Sequence, residues 1–180
     1  MFRNSDNETE ATVPAFAAGA RGIAEARISL SKRGMQNWVR AFLAACNAGD
    51  AARIAGYFEA DATRYFPIGR HGRPCQGAQE IGRRIAAAVK QHACVWTFDQ
   101  MLCEPDSRRA VLEWSMVGNT RPGVLRGTDW YQFSQCGLIQ ELRTYFAAAP
   151  DPAQAAAELQ EFDYAGHGYA AGADVQGNSE

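Results

Sequence analysis

Two acidic residues interrupt stretches that otherwise favour buried β-strands. In residues 127–146, GTDWYQFSQCGLIQELRTYF, Asp129 stands among strand-favouring residues. Side chains alternate along a strand, so Asp129, Tyr131 and Phe133 share one face, and the two aromatic neighbours favour the interior for it. A carboxyl group there is expected to have a raised pKa unless it finds a hydrogen-bond donor. The alternative is a surface carboxylate, or one capped by backbone N–H groups, on an edge strand.

Glu113 is the second acidic candidate. In RAVLEWSMVG, residues 109–118, one face is wholly apolar, whereas the other carries Glu113 and Ser115 among valines. If the apolar face is the core, Glu113 points outward; if it is a dimer face, Glu113 enters the interior. An interior pair with Asp129 would suit acid/base chemistry, because one carboxyl group could stay protonated while the other ionises. The alternative is a salt bridge, for example with Arg143.

Helical patterns come first along the chain. Residues 35–46 carry apolar side chains at i, i+3, i+4, i+7, i+8 and i+11, which is one face of an amphipathic helix. Gly49 closes it, and Asp50 is the expected N-cap of a second helix over 51–60. A third helix is predicted over 78–92, where Ile81, Ile85 and Val89 form the apolar stripe.

Strands then follow with short turns between them. The predicted elements are a strand over 61–67, a loop over 68–77, strands over about 94–103, 108–117, 123–134 and 137–147, and a C-terminal helix within 150–163. Short turns cannot join parallel neighbours, so the class is α+β, with about three helices on one face of a curved antiparallel sheet. Such a sheet leaves a cone-shaped hollow that suits small apolar ligands. Residues 1–33 are predicted to be a flexible or loosely helical arm, 34–149 the domain, and 164–180 a flexible tail.

The sequence resembles the SnoaL-like (polyketide cyclase-like) branch of the nuclear-transport-factor-2-like superfamily over residues 35–147. The residues that carry the resemblance are Trp38, the Asn47-Ala48-Gly49-Asp50 step, Tyr57-Phe58, Asp61-Ala62, Pro67, Gly77 with Ile81, Glu113-Trp114, GTDWYQF, Gly137-Leu138-Ile139 and ELRTYF. The resemblance implies a cone-shaped α+β barrel with its pocket between helices and sheet. It also implies a homodimer through the outer sheet face. The superfamily spans several activities, so the fold alone implies no single reaction.

The resemblance also bears on the site. In the cyclase and isomerase branches, an acid at the position of Asp129 faces the pocket as general acid or base. Limonene epoxide hydrolase has polar residues near the positions of Glu113 and Ser115, but Thr144 stands where its third polar residue falls. The ketosteroid isomerases carry their base where this chain has Phe66. We therefore expect neither of those two reactions in its established form.

Two further residues are candidates for catalysis. His71 lies in the loop expected at the mouth of the cone, and histidine is the usual proton carrier near neutral pH; the alternative is an exposed loop histidine. Tyr65 carries a hydroxyl group that could hydrogen-bond a carbonyl. The residues predicted to line the pocket are Trp38, Phe66, Trp96, Ser115, Tyr131 and Thr144. An aromatic residue in a strand is otherwise core or interface.

Composition excludes several classes of protein. Hydrophobic residues make up 47% of the 180 residues and charged residues 21%, and the net charge is −2. That balance predicts a globular chain with no general affinity for nucleic acid or membranes. Five scattered cysteines and three histidines show no metal-ligand spacing, and no glycine-rich phosphate loop is present, so neither metal nor cofactor is expected. An odd cysteine count with no secretory signal predicts the cytoplasm.

These observations support three hypotheses. The first is a small cofactor-independent enzyme that isomerises, cyclises or dehydrates an apolar carbonyl- or hydroxyl-bearing molecule. The second is a non-catalytic protein of the same fold that binds small molecules or acts as a dimeric accessory subunit. In the third, the Ala-rich terminal arms mediate assembly with another chain.

Overall fold

The first helix supplies one wall of the hydrophobic core. The structure, a computed structural model, describes residues 30–67, 73–118, 121–146 and 166–169. Helix α1 (Lys32–Asn47) begins at Ser31, whose hydroxyl accepts the Gly34 N–H at 3.1 Å. It ends before Gly49, which has a left-handed φ of +65°. The apolar positions of the predicted stripe are all buried, namely Met35, Trp38, Val39, Phe42, Leu43 and Cys46, so the 3.6-residue period correctly predicted the face that packs inward.

The second helix is shorter than its sequence pattern predicts. Asp50 caps α2 (Ala51–Ala55) by accepting the Arg53 N–H at 3.0 Å, but the chain leaves the helix at Gly56. Strand β1 (Phe58–Tyr65) begins at once and takes over residues assigned to the helix. Tyr57 and Phe58 are buried. A buried aromatic pair is compatible with the end of a helix or the start of a strand, so the sequence pattern could not distinguish the two.

The third helix lies close against the second. Helix α3 (Ala78–His92) has the predicted bounds. A Cβ atom on its Gly82 would lie only 2.3 Å from the Ala51 carbonyl oxygen. Glycine at this position therefore allows the two helices to approach as closely as they do.

The remaining five strands form one six-stranded sheet together with β1. They are β2 (Cys75–Gln76), β3 (Val95–Glu104), β4 (Arg109–Gly118), β5 (Arg121–Phe133) and β6 (Ile139–Tyr145). The order is β2-β1-β6-β5-β4-β3, and every neighbouring pair is antiparallel except β1 with β6. The predicted α+β class with a curved, mostly antiparallel sheet is confirmed. Strand β2 was predicted as loop, because two residues are too few to show a period.

The inner face of the sheet packs on the helices, and part of the outer face is covered by residues 166–169. On the outer face, Ser115 donates to Asp99 Oδ2 at 2.5 Å and accepts from Arg126 Nη1 at 2.5 Å. Tyr169 lies over this group: its hydroxyl donates to Glu113, and its ring lies 5.6 Å from the Arg126 guanidinium. This outer polar cluster is therefore sheltered by a distant part of the same chain.

Several predictions fall outside the described residues. They are the C-terminal helix within 150–163, nearly all of the 1–33 arm, most of the 164–180 tail, and His71. None of the described helices is both long enough and apolar enough to cross a membrane.

Candidate functional site

A cavity of about 430 Å³ lies between α1, α3 and the inner face of the sheet. Its walls are mainly apolar, with Phe42, Leu43, Phe66, Ile85, Trp96, Trp114, Met116, Leu125 and Phe146 among the lining residues. Its polar side chains lie on two sides: on the sheet side Arg64, Asp129 and Thr144, from β1, β5 and β6, and on the α3 side Arg83, Arg84, Gln91 and His92. A mainly apolar hollow with a few convergent polar groups is the usual form of a small-molecule site.

Asp129 is the carboxyl group of this cavity. It is 6% exposed and faces Thr144, its direct partner across the β5–β6 pair. The Tyr131 hydroxyl donates to Asp129 Oδ2 at 3.3 Å, whereas Oδ1 has no hydrogen-bond partner among the described residues. One carboxyl oxygen is thus left available to a ligand.

The surroundings of Asp129 shift its titration. Burial raises the pKa of the Asp129 carboxyl group, because desolvation penalises the charged form. The positive charge of Arg64 and the polar hydrogens of Thr144, Trp114 and Tyr131 act in the opposite direction and only partly offset it. The neutral acid is therefore favoured more than at an exposed site.

Two hydrogen-bond donors beside Asp129 are also unsatisfied. Thr144 Oγ1 and Trp114 Nε1 are buried and make no hydrogen bond of ordinary geometry to any described residue. Trp114 lies on β4 with its ring over Gly127, its partner on β5, where a Cβ atom would come within 2.2 Å of the ring. Unsatisfied buried polar atoms are costly, so a group of them in one cavity indicates a place for a ligand's polar atoms.

Arg64 completes this polar group and was missed by the sequence analysis. It lies on β1, lines the cavity, and stacks its guanidinium 4.1 Å from the centre of the Phe66 ring. Burial lowers the pKa of the guanidinium, and the charge of Asp129 opposes that effect. Strand alternation places Arg64 on the same face as Ala62 and Phe66, opposite Thr63 and Tyr65. This pattern could have predicted an inward Arg64, but each face carries an aromatic residue, so the pattern did not identify the inner face. We call Asp129, Thr144, Trp114 and Arg64 the inner polar cluster.

Two more arginines lie at the α3 side of the cavity. Arg83 and Arg84 both line it, and both bond Glu80, Arg83 with Nε at 2.9 Å and Arg84 with Nε at 2.6 Å. The two guanidinium groups hold the pKa of the Glu80 carboxyl group below its usual range. His92, which the sequence analysis assigned only to the end of α3, lies on the cavity wall as well.

The cavity cysteines are poor nucleophiles. Cys46 and Cys94 line the cavity, and burial raises the pKa of each thiol. A thiol needs a lowered pKa to present a reactive thiolate at neutral pH. Covalent chemistry through these two residues is therefore disfavoured.

Trp96 is fixed in the wall by a side chain from α1. Asn47 Nδ2 donates to the Trp96 carbonyl at 2.8 Å, and Asn47 Oδ1 accepts the Trp96 N–H at 2.9 Å. This pair of bonds continues the hydrogen-bonding edge of β3 as a neighbouring strand would. Sequence reasoning treated Asn47 only as the end of a helix.

Of the predicted site residues, four line the cavity, five do not, and His71 lies outside the described residues. Asp129, Phe66, Trp96 and Thr144 lie on its wall. Glu113 is corrected to the outer face, since Leu112 and Trp114 form the core side of β4. Ser115 follows Glu113 in the alternation and lies buried in the outer polar cluster.

The other corrections also follow from packing. Tyr65 is 40% exposed on the outer face, because Arg64 takes the inner one. Trp38 packs edge-on against Tyr57 in the core at 4.9 Å and does not reach the cavity. Tyr131 is buried behind Asp129 and touches the site only through its hydroxyl. His71 lies outside the described residues.

No metal centre is evident within the described ranges, where no group of three or more His, Cys, Asp and Glu side chains is close enough to hold an ion. The polar groups of the cavity are suited to hydrogen bonding and proton transfer.

Comparison with known proteins decides the family. Residues 39–142 match the SnoaL-like domain. The chain belongs to the SnoaL-like domain family. A protein of unknown function with a cystatin-like fold from Methylobium petroleophilum PM1 is 34% identical to this SnoaL-like protein, with a TM-score of 0.63 over 79% of this chain and 94% of that one. The resemblance noted from the sequence is thus confirmed.

More distant structures share the fold. A putative polyketide cyclase from Sinorhizobium meliloti is 19% identical over 61% of this chain and 94% of that one, with a TM-score of 0.52. A putative ketosteroid isomerase from Kribbella flavida DSM 17836 is 14% identical over 66% of this chain and 81% of that one, with a TM-score of 0.54. At these identities, the similarity between this SnoaL-like protein and the two structures is one of fold alone. No curated protein matches the chain.

Proposed function

We propose that this protein is a cofactor-independent enzyme that isomerises, cyclises or dehydrates an apolar small molecule bearing a carbonyl or hydroxyl group. The observation that carries the proposal is Asp129, a buried carboxyl group on the wall of a mainly apolar cavity, with one oxygen unbonded. Because burial raises its pKa, its carboxylate form is a stronger base and its acid form persists closer to neutral pH.

The proposed step is a proton transfer. Asp129 Oδ1 takes a proton from the carbon next to a carbonyl, the electron pair of that C–H bond forms a C=C bond, and the π pair of the carbonyl moves onto its oxygen. The Thr144 hydroxyl and the Trp114 N–H donate to that oxygen, since neither has a hydrogen-bond partner among the described residues. Return of the proton to another carbon completes an isomerisation. In a cyclisation, the enolate carbon instead bonds to the carbon of a second carbonyl, whose oxygen takes the proton from Asp129. In a dehydration, the enolate expels a β-hydroxyl group, which leaves as water with the same proton.

Hydrogen–deuterium exchange tests the step without a known product. Apolar ketones are incubated with the protein in D2O, and C–H exchange next to the carbonyl is followed by NMR. We expect Asp129→Asn to slow exchange by about 10²- to 10⁴-fold, the usual contribution of a general base. Glu113→Gln, a matched carboxyl-to-amide change on the outer face, is expected to leave exchange unchanged. Exchange that persists in Asp129→Asn would refute the role of Asp129.

One observation favours a second candidate, a non-catalytic binder. Asp129 is the only carboxyl group among the described residues that line the cavity, so no acidic partner is at hand to relay a proton. A protein that binds ketones at this cavity, with affinity unchanged in Asp129→Asn and without any exchange, would support binding alone.

A further inference from the structure

The arrangement of charge around the cavity is not that of a site for a neutral ligand. Three arginines line it, Arg64, Arg83 and Arg84, against Asp129. Glu80 engages both Arg83 and Arg84 without lining the cavity. Even with both acids ionised, one positive charge remains in excess, and the raised pKa of Asp129 increases that excess whenever its carboxyl group is protonated.

Arg64 is the uncommitted cation of this set. Within the described part of the chain it makes no salt bridge and no hydrogen bond, and its Nε is buried without a partner. Its guanidinium group stacks on the face of Phe66, which stabilises the charge but accepts none of the N–H groups in the guanidinium plane. Arg83 and Arg84, by contrast, already share Glu80.

An uncommitted guanidinium group in an apolar cavity has a defined chemical complement. Arginine binds a carboxylate through two parallel N–H···O bonds, which gain strength where water is excluded. A neutral apolar ligand would remove water from Arg64 and supply no acceptor in return, which is costly. The apolar walls can at the same time hold a hydrocarbon or aromatic body.

We propose that the substrate or ligand of this site is an apolar organic acid whose carboxylate is bound by Arg64. The inference rests on the proposed function, since it names the substrate class for the same cavity. Arg64 then orients the molecule from β1, while Asp129 and Thr144 act on its reactive part from β5 and β6. Arg83 and Arg84 add a positive field at the α3 side, which favours entry of an anion.

Matched pairs of acids and amides test the proposal by binding alone. Dissociation constants are measured by calorimetry for 2-naphthoate and 4-phenylbutanoate, each against its own primary amide, which has nearly the same shape without the charge. We expect each acid to bind at least about tenfold tighter than its amide, which corresponds to about 1.4 kcal/mol. Arg64→Met should abolish that preference, and Arg64→Lys should retain part of it because the charge remains.

Two controls make the outcome decisive. Arg109→Met removes an exposed arginine that bonds Gln132 outside the cavity, and should leave the preference intact. The proposal is overturned if neither acid binds at millimolar concentration, if acids and amides bind equally, or if the preference survives in Arg64→Met. Asp129→Asn should keep the acid preference while losing proton exchange. A preference for acids without any proton exchange would overturn only the proposed enzymatic function. Proton exchange on neutral ketones without a preference for acids would overturn only the inference about the substrate class.

Discussion

Asp129 has two chemically different oxygens. Oδ2 accepts from Tyr131, and Oδ1 is unbonded beside Thr144 and Trp114. Burial disfavours the ionised form, and the charge of Arg64 and the donors of Thr144, Trp114 and Tyr131 oppose that effect only in part. A structural aspartate of this burial would normally have its oxygens satisfied by short bonds. Asp129 departs from that pattern, since its Oδ1 has no hydrogen-bond partner among the described residues.

The raised pKa of Asp129 predicts how stability varies with pH. The folded state holds this proton more tightly than the unfolded chain, so the contribution is fully present below the unfolded pKa and is lost as pH rises through the folded pKa. Relative to Asp129→Asn, which cannot titrate, the wild-type protein should lose stability from about pH 4 upward. The loss is about 1.4 kcal/mol for each unit by which the pKa is raised.

Denaturant unfolding at a series of pH values measures that difference. Other titrating groups are common to both proteins and cancel in the comparison. Parallel stability profiles for wild type and Asp129→Asn between pH 4 and 9 would show that burial does not control this carboxyl group.

The direction of a single side chain was predictable from the sequence where the other residues on the same strand face indicated the same environment. Tyr131 and Phe133 shared a face with Asp129, so its inward direction followed from alternation. The face of β4 opposite Glu113 is apolar, and the pattern of one strand cannot show whether such a face packs on the core or on a second chain. The direction of Glu113 was therefore not predictable. Arg64 was missed because Phe66 and Tyr65 made both faces of β1 equally aromatic.

Among the elements, the pairing of β4 with β5 shapes the cavity. Trp114 can lie flat over β5 only because its partner there is Gly127. The same ring contributes both an apolar wall and the unsatisfied N–H of the inner polar cluster. One residue without a side chain therefore sets the position of two features of the site.

Replacing Gly127 should displace that ring. In Gly127→Ala the new methyl group would come within 2.2 Å of Trp114, a ring that is 3% exposed and has little room to move. We expect a loss of about 1–3 kcal/mol in the free energy of unfolding, as for other overpacked sites, together with weaker ligand binding. Denaturant unfolding followed by tryptophan fluorescence measures both the stability and the environment of the ring.

The neighbouring Thr128→Ala serves as the control for that change. Thr128 points to the outer face and is partly exposed, so its loss should alter stability by less than about 1 kcal/mol. An effect of Gly127→Ala no larger than this control would mean that Trp114 is free to move aside.

Element boundaries were predictable where caps and periodicity coincided. Helix α3 has 15 residues with one regular stripe, and its bounds matched. At α2 the pattern continued through Gly56 into residues that pair with β6, and local sequence does not encode a partner about 80 residues away. The parallel β1–β6 pair was likewise not predictable, since β1 and β6 are not neighbours in sequence.

For the whole molecule, the outer sheet face carries an exposed row of cross-strand partners. Its members are Leu102, Val111, Trp130, Arg143 and Tyr65, paired in that order across β3, β4, β5, β6 and β1. Leu102 is 77% exposed and Trp130 37%, and Arg143 stacks 5.1 Å from the Trp130 ring. A continuous exposed row of this kind is typical of an interface.

We expect a second copy of the chain to cover this outer row. Light scattering should then give twice the chain mass of 19.6 kDa. Trp130→Glu should return the protein to the single-chain mass, because it would bury a charge in the interface. Asn37→Glu adds the same charge on an exposed position of α1 and should leave the dimer intact. A wild-type protein already at the single-chain mass would contradict this expectation.

The pairing of β1 with β6 has a consequence for how the protein is made. Arg64 comes from the first strand of the sheet, whereas Asp129 and Thr144 come from the last two. A nascent chain that has emerged only as far as residue 118 contains the three described helices and the first four described strands, yet neither Asp129 nor Thr144 and no neighbour for β1 on its β6 side. The two halves of the inner polar cluster meet only after synthesis of the domain is nearly complete. A chain that ends at residue 118 cannot form the complete cavity. A ligand present during translation is therefore expected to stabilise full-length chains and not truncated ones.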